Sequence, residues 1–205
     1  MIKFYVRTTG ERKLHESYNQ IEYTLLIDKE HKPVDSFINQ LEIISKEDAV
    51  LLEDDLVLCD NFKEEIERAI ETYPNTIINF FCYPSKYFTT YKICGGFVYN
   101  QCTYYPKGLG KLIARTMAKL RKPHHQYDTL ENLALNVLNL PHVMFRPTLV
   151  QHIDNGSLIQ KNSSGRRCPY YIDYLKKINV SIWDAYAFKD ELRKIMNEHI
   201  EKIIK

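Results

Sequence analysis

Glu53, Asp54 and Asp55 are three consecutive carboxylates inside an apolar run, with Ala49-Val50-Leu51-Leu52 before them and Leu56-Val57-Leu58 after. A run this apolar predicts a buried strand of a parallel sheet. Adjacent negative charges at its end repel one another and are costly to desolvate unpaired. A hard divalent cation such as magnesium or manganese answers both costs, because it takes carboxylate oxygens. Strand alternation places Glu53 and Asp55 on one face and Asp54 on the other. Asp55 is then the leading metal ligand, with Glu53 or Asp54 helping to orient ligands. A solvated acidic turn between two strands accounts for the same triplet without any ligand.

The elements that must position this triplet follow from pattern. Residues 2–6 predict a first strand, followed by a polar loop from Arg7 to Arg12. Residues 23–28 predict a second strand ending in Asp28. Residues 33–44 have helical spacing through Phe37, Ile38, Leu41 and Ile44, with Asp35 or Ser36 as cap. Residues 49–52 are the third strand. A helix opens at Asp60, its N-cap acid, shows Ile66 and Ile70 on its apolar stripe, and closes at Pro74. Residues 76–81 give a further strand. This alternation predicts an α/β fold with a largely parallel sheet.

The second half reads differently. Gly95 and Gly96 turn into a strand through Tyr99. Helices are expected over 106–120 and over 128–138, the latter capped by Asp128, and a short strand lies between Pro141 and Pro147. Residues 157–167 are polar and loop-like. From Tyr170 the chain is aromatic, then basic and helical, with Phe188, Leu192, Ile195, Met196, His199 and Ile203 on the last stripe.

Composition bounds the rest. The 205 residues are 44% hydrophobic, enough for one sizeable core, and the formal net charge of +2 gives no global polyanion signature. The 15 Tyr suit stacking on bases or sugars and equally fill cores. The 5 Cys include no CxxC pair, so neither a zinc site nor a disulfide framework is indicated. Reduced thiols, no signal-peptide pattern and no apolar stretch of membrane-spanning length predict a cytoplasmic protein.

Three stretches carry a family resemblance. They are the run from Val50 to Leu58 with Asn61-Phe62 and a helix behind it; Gly95-Gly96-Phe97-Val98-Tyr99, then Tyr105-Pro106-Lys107 and a helix; and Asp128, then Arg146 to His152 with Gly156 and Ser157 beyond. Their order over residues 2–159 resembles small nucleotide-sugar glycosyltransferases of the GT-A fold. It is most similar to the lipooligosaccharide-type family 25 enzymes and related phage glycosyltransferases. The resemblance implies a GT-A-like (Rossmann-like), mostly parallel sheet flanked by helices over 1–165, with a helical C-terminal extension over 166–205 packed on the same domain.

It also implies roles. Glu53 and Asp55 stand at the first and last positions of a DxD-like motif, the last coordinating manganese or magnesium and the first lying near the ribose. His152 completes the metal shell; on its own, a hydrogen-bonded core histidine is the other reading. Asp128 takes the place of an inverting enzyme's general base, with Glu131 as substitute; a plain N-cap explains Asp128 equally well. Arg7, Thr8 and Thr9, beyond the carboxyl end of the first strand, hold the nucleotide of the donor, most commonly a UDP-sugar, with Asp28 a weaker contact. Arg166 and Arg167 suit bidentate phosphate binding from a closing loop, or form a solvated basic pair.

Lys107, Lys111, Arg115 and Lys119 recur every four residues and predict one basic stripe. The stripe is either a solvated helix face or a polyanion surface, and Lys107 and Lys111, with Gly95 and Gly96, are the acceptor-side candidates. The acceptor is then a glycan precursor or a hydroxymethylated pyrimidine in phage DNA, the latter acting in the host cytoplasm. A non-catalytic sugar- or nucleic-acid-binding module is the alternative of a different class. Oligomeric state is left open by the sequence.

Overall fold

Alternating apolar side chains on the first and third strands dictate a sheet covered on both faces. The structure is a computed structural model and describes residues 1–81, 100–123, 125–153 and 168–204. Its elements are β1 (Lys3–Thr8), a 3-10 turn (Glu16–Gln20), β2 (Tyr23–Ile27), α1 (Pro33–Ile44), β3 (Ala49–Glu53), β4 (Leu56–Leu58) and α2 (Phe62–Thr72). They continue with β5 (Ile77–Asn79), β6 (Cys102–Tyr105), α3 (Leu109–Leu120), α4 (Tyr127–Leu138), β7 (His142–Met144), β8 (Val150–His152), α5 (Ile172–Lys177) and α6 (Lys189–Ile204).

Six strands form one sheet in the order β2-β1-β3-β6-β5-β7, and β4 pairs with β8 in a small second sheet. β1 runs parallel to β2 and β3, and β5 parallel to β7. β6 is antiparallel to both of its neighbours. The expected mostly parallel sheet flanked by helices is therefore present, with one reversed strand at its centre.

Period two divides the core. Tyr5, Leu51 and Tyr105 pack with Phe37, Leu41, Ile113, Met117 and Leu130 of α1, α3 and α4. Phe4, Val6, Val50 and Leu52 pack on the other face with Phe62, Ile66 and Ala69 of α2 and with Leu175 and Leu192 of α5 and α6. The C-terminal helices thus share the sheet's own core. α1 and α3 approach so closely that a Cβ at Gly110 would lie 2.4 Å from the Leu41 carbonyl oxygen, a contact only glycine permits.

Several element boundaries differ from expectation for identifiable reasons. β1 continues to Thr8, because Arg7 and Thr8 keep their register with Leu26 and Ile27 of β2. α1 starts at Pro33, whose fixed φ suits a first helical position, so neither Asp35 nor Ser36 caps it. Asp35 pairs instead with Arg121. Asn61, in the left-handed region at φ 57°, takes the cap position of α2 expected for Asp60. α3 starts after Gly108, at φ 87°, which leaves Lys107 off the helix and shortens the basic stripe to Lys111, Arg115 and Lys119. α4 starts one residue early: the Gln126 carbonyl accepts from the Leu130 amide at 3.0 Å, so Asp128 lies inside the first turn and is not the cap. Gly95, Gly96, Gly156, Ser157, Arg166, Arg167 and the strand and loop expected around them lie outside the described residues. No helix among the described residues is long and apolar enough to cross a membrane.

Candidate metal centre

The acidic triplet sits where β3 ends. Glu53 is the last residue of β3, and the chain bends at Asp54 and Asp55 before entering β4. The expected alternation of the three acids stops at this bend, because β4 leaves the main sheet to pair with β8. Asp54 and Asp55 accordingly both meet Arg12. β8 brings His152 opposite Leu56, and the Ile153 amide donates to the Asp55 carbonyl at 2.8 Å. His152 Nε2 lies 3.3 Å from Asp55 Oδ2. One ligand atom from each of Glu53, Asp55 and His152 falls within 4.8 Å of the others.

The donor set fits a divalent cation. Two carboxylates and an imidazole offer oxygen and nitrogen donors of the kind that divalent cations take. Asp55 is only 8% exposed, and its Oδ1 is buried without a hydrogen-bond partner among the described residues. An ionised carboxylate oxygen left so is costly unless a cation completes it. Burial pushes the Asp55 carboxyl up, but His152 and Arg12 outweigh burial and hold it below the usual carboxylate range. Asp55 is therefore charged and ready to ligate.

A wall of polar side chains fixes Glu53. Arg7 hydrogen-bonds the Glu53 carboxylate, and the same Nη2 donates to the Asn100 carbonyl and meets the Tyr127 hydroxyl, each at 3.0 Å. Its guanidinium lies 4.4 Å from the Tyr127 ring centroid and 5.2 Å from that of Phe37, within cation–π range. The Tyr127 hydroxyl donates to Glu53 Oε1 at 3.0 Å, and the Tyr18 hydroxyl pins the Glu53 carbonyl. Thr8 Oγ1 donates to Asp54 Oδ2 at 2.5 Å and accepts from the Gly10 amide at 2.8 Å. Thr9 Oγ1, close by in sequence, is buried without a partner among the described residues.

Behind this wall lies a second acid. Glu131 is 0% exposed on α4, accepts from the Tyr105 hydroxyl at 2.6 Å, and is bonded by the Asn100 amide. Thr103 Oγ1 donates to Asn100 Oδ1 at 2.6 Å. Burial raises the Glu131 carboxyl to about 7, against the opposing pull of Tyr105 and Arg7. Asp128 is half-buried one position beyond Tyr127 and accepts from the Thr129 amide at 2.7 Å.

The predicted residues therefore divide. Arg7, Thr8, Glu53, Asp54, Asp55 and His152 form one connected cluster. Asp28 caps the turn after β2: its amide donates to the Thr8 carbonyl at 2.8 Å, and its Oδ1 accepts from the Lys32 amide at 3.3 Å. Lys107 and Lys111 lie toward the opposite rim. The register pairs Ala49 with Tyr105 and Leu52 with Cys102, so the chain beyond Tyr105 leaves the sheet at the end away from Glu53. α3 then runs back, and Arg121 after its last turn meets Asp35 near the start of α1. Lys119 and Lys122 consequently stand nearer the acidic rim than Lys111 does.

Sequence reasoning passed over Arg12, Tyr127, Asn100, Tyr105 and Tyr18 as site residues. Arg12 carried a signal, being a cation in the loop beyond the carboxyl end of β1, where open α/β sheets bind ligands. Gln151 had none: it is buried and binds the Cys168 backbone from both ends of its amide, at 2.8 and 2.9 Å, tying the His152 strand to the C-terminal segment.

No family model matches the chain, and no curated protein matches it in sequence. Among solved structures the chain is similar to A197 from STIV, with 15% identity and a TM-score of 0.47 over 82% of this chain and 97% of that one.

Proposed function

We propose that this chain is a metal-dependent glycosyltransferase of the GT-A type, moving a sugar from a nucleotide-diphosphate donor to an acceptor hydroxyl. The observation that carries the reading is the meeting of Glu53, Asp55 and His152 at the end of β3, with a buried Asp55 oxygen left without a partner. Binding beyond the carboxyl ends of parallel strands is the general rule for open α/β sheets.

Asp55 and His152 would hold manganese or magnesium, whose Lewis acidity would offset charge on a leaving diphosphate. Arg7 fixes Glu53 beside the ribose position by pairing with its carboxylate while Tyr127 shares the same oxygen. Thr8 and Thr9 line the nucleotide side, and Arg166 and Arg167, outside the described residues, have the guanidinium groups that suit phosphate. Asp128 takes the proton from the acceptor hydroxyl as general base. Glu131 is buried behind Tyr105 and Asn100, which suits it to support this wall rather than to meet an acceptor. A UDP-sugar is the donor of first choice.

A long anionic acceptor is favoured by one feature. Lys111, Arg115 and Lys119 are exposed along α3, whose 12 residues span about 18 Å and lead toward the acidic rim. Phage DNA carrying hydroxymethylated pyrimidines has that form, with the target base extruded; a glycan precursor is the other acceptor class.

The test is release of nucleoside diphosphate from a panel of nucleotide sugars, with manganese and with chelator, for wild type and Asp55→Ala. Metal-dependent release that Asp55→Ala abolishes supports the reading and names the donor. Duplex DNA with hydroxymethylated bases, added next, should accelerate release if DNA is the acceptor. Failure of manganese and of every nucleotide to bind would leave the binding-module alternative in its place.

A further inference from the structure

Arg12 occupies the position in the acidic cluster where a cation is needed. Its Nη1 hydrogen-bonds Asp55 Oδ2 and lies 3.3 Å from Asp54 Oδ1. Asp55 Oδ2 is also the oxygen that faces His152 Nε2. The Arg12 side chain is 16% exposed, so this pairing is largely withdrawn from solvent and weakly screened.

The two arginines of the cluster are held differently. Arg7 is part of β1, is seated against two aromatic rings, and bonds a backbone carbonyl as well as Glu53. Arg12 stands on the irregular segment between β1 and the 3-10 turn. Glu53, Asp54 and Asp55 carry three negative charges, and Arg7 and Arg12 return two positive ones. A dication bound by Asp55 and His152 would compete with Arg12 for the same Asp55 oxygen, and two cations so close in a poorly hydrated pocket repel strongly.

We propose that Arg12 is the resting cation of this centre, exchanging with the divalent metal: the guanidinium holds Asp54 and Asp55 together in the metal-free protein and leaves Asp55 when metal binds. The freed guanidinium, on the loop beyond β1, then serves the anionic ligand that accompanies the metal. The proposal rests on the metal reading above and adds to it a residue and an order of events.

The experiment is titration with manganese alone, followed by the electron paramagnetic resonance signal of the free ion, on wild type, Arg12→Met, Arg12→Lys and Asp55→Asn. Arg12→Met should bind manganese roughly tenfold more tightly than wild type, having lost its internal competitor. Arg12→Lys should stay close to wild type, and Asp55→Asn should lose binding. Arg12→Met without metal should also melt at lower temperature than wild type and regain more on manganese addition, since binding to the folded state alone stabilises it. A measurement on wild type serves if Arg12→Met does not fold: the guanidinium resonance of Arg12, followed by nuclear magnetic resonance, should shift as magnesium is added. Equal or weaker manganese binding by Arg12→Met, or an Arg12 signal untouched by bound magnesium, overturns the exchange and leaves the metal reading standing. Absence of manganese binding in every variant overturns both.

Discussion

Asp55 and Glu131 are both buried acids, yet they are kept folded by opposite means. Arginine and histidine face Asp55 and hold its carboxyl low. A phenol and a primary amide face Glu131, and its carboxyl rises to about 7. An acid compensated by neutral donors can rest protonated inside a core, whereas one compensated by cations stays charged and presents oxygens to a metal. The first arrangement serves the fold, and the second leaves a charged carboxylate that could hold a metal.

The strongest way to break this contrast is to exchange the consequences of the two losses. Asp55→Ala should lower metal-dependent donor cleavage at least ~100-fold, since it removes a ligand outright. Steady-state nucleoside diphosphate release measures this. Glu131→Ala should do the reverse. It should cost about 2–3 kcal/mol in chemical denaturation by stranding the Tyr105 hydroxyl and the Asn100 amide, while manganese binding persists. Glu131→Gln should recover most of that loss.

A pH series sharpens the contrast. The ordinary carboxyl value is 4.5 and the folded value of Glu131 is about 7, so the folded state holds the extra proton between them. Stability from this group is present at the acid end and declines as pH rises toward 7, by at most about 1.4 kcal/mol per unit. Unfolding free energies of wild type and Glu131→Gln over that window should diverge accordingly, with the variant flatter. Asp55 has the opposite sign, its contribution being lost only as pH falls below the usual carboxylate range. The smallest effect belongs to the solvent-facing pair Asp35–Arg121. Arg121→Ala should shift stability by less than about 0.5 kcal/mol, as exposed ion pairs do.

The first of these acids was easier to read from sequence than the second. Three carboxylates in an apolar run are conspicuous, and His152 follows a recognisable context, so the pair that meets across β4 and β8 was legible. Glu131 was legible only as a substitute base, because nothing local shows that Tyr105 and Asn100 close over it from a distant strand. Arg12 was legible as part of a polar loop, whereas its pairing with Asp54 and Asp55 spans some forty residues and depends on β1 lying beside β3. The parallel half of the sheet followed from strand–helix alternation. The reversed strand β6 did not, since the sequence pattern places the strand of this part of the chain at Gly95 to Tyr99 and none over Cys102–Tyr105. Helix starts followed backbone more than side chain: Pro33 opens α1 where expected but without the expected side-chain cap, and left-handed Asn61 and Gly108 set the starts of two others.

That reversed strand has a consequence for how the gene can vary. Cys102 and Tyr104 face the core shared with α2, while Thr103 and Tyr105 turn toward Asn100 and Glu131. Inserting or deleting a single codon here would swap the two sets, sending hydroxyls into the apolar layer and a thiol into the polar one. β6 can thus absorb changes of lettering at individual positions but not of length, and insertions and deletions among natural variants should fall outside residues 100–105.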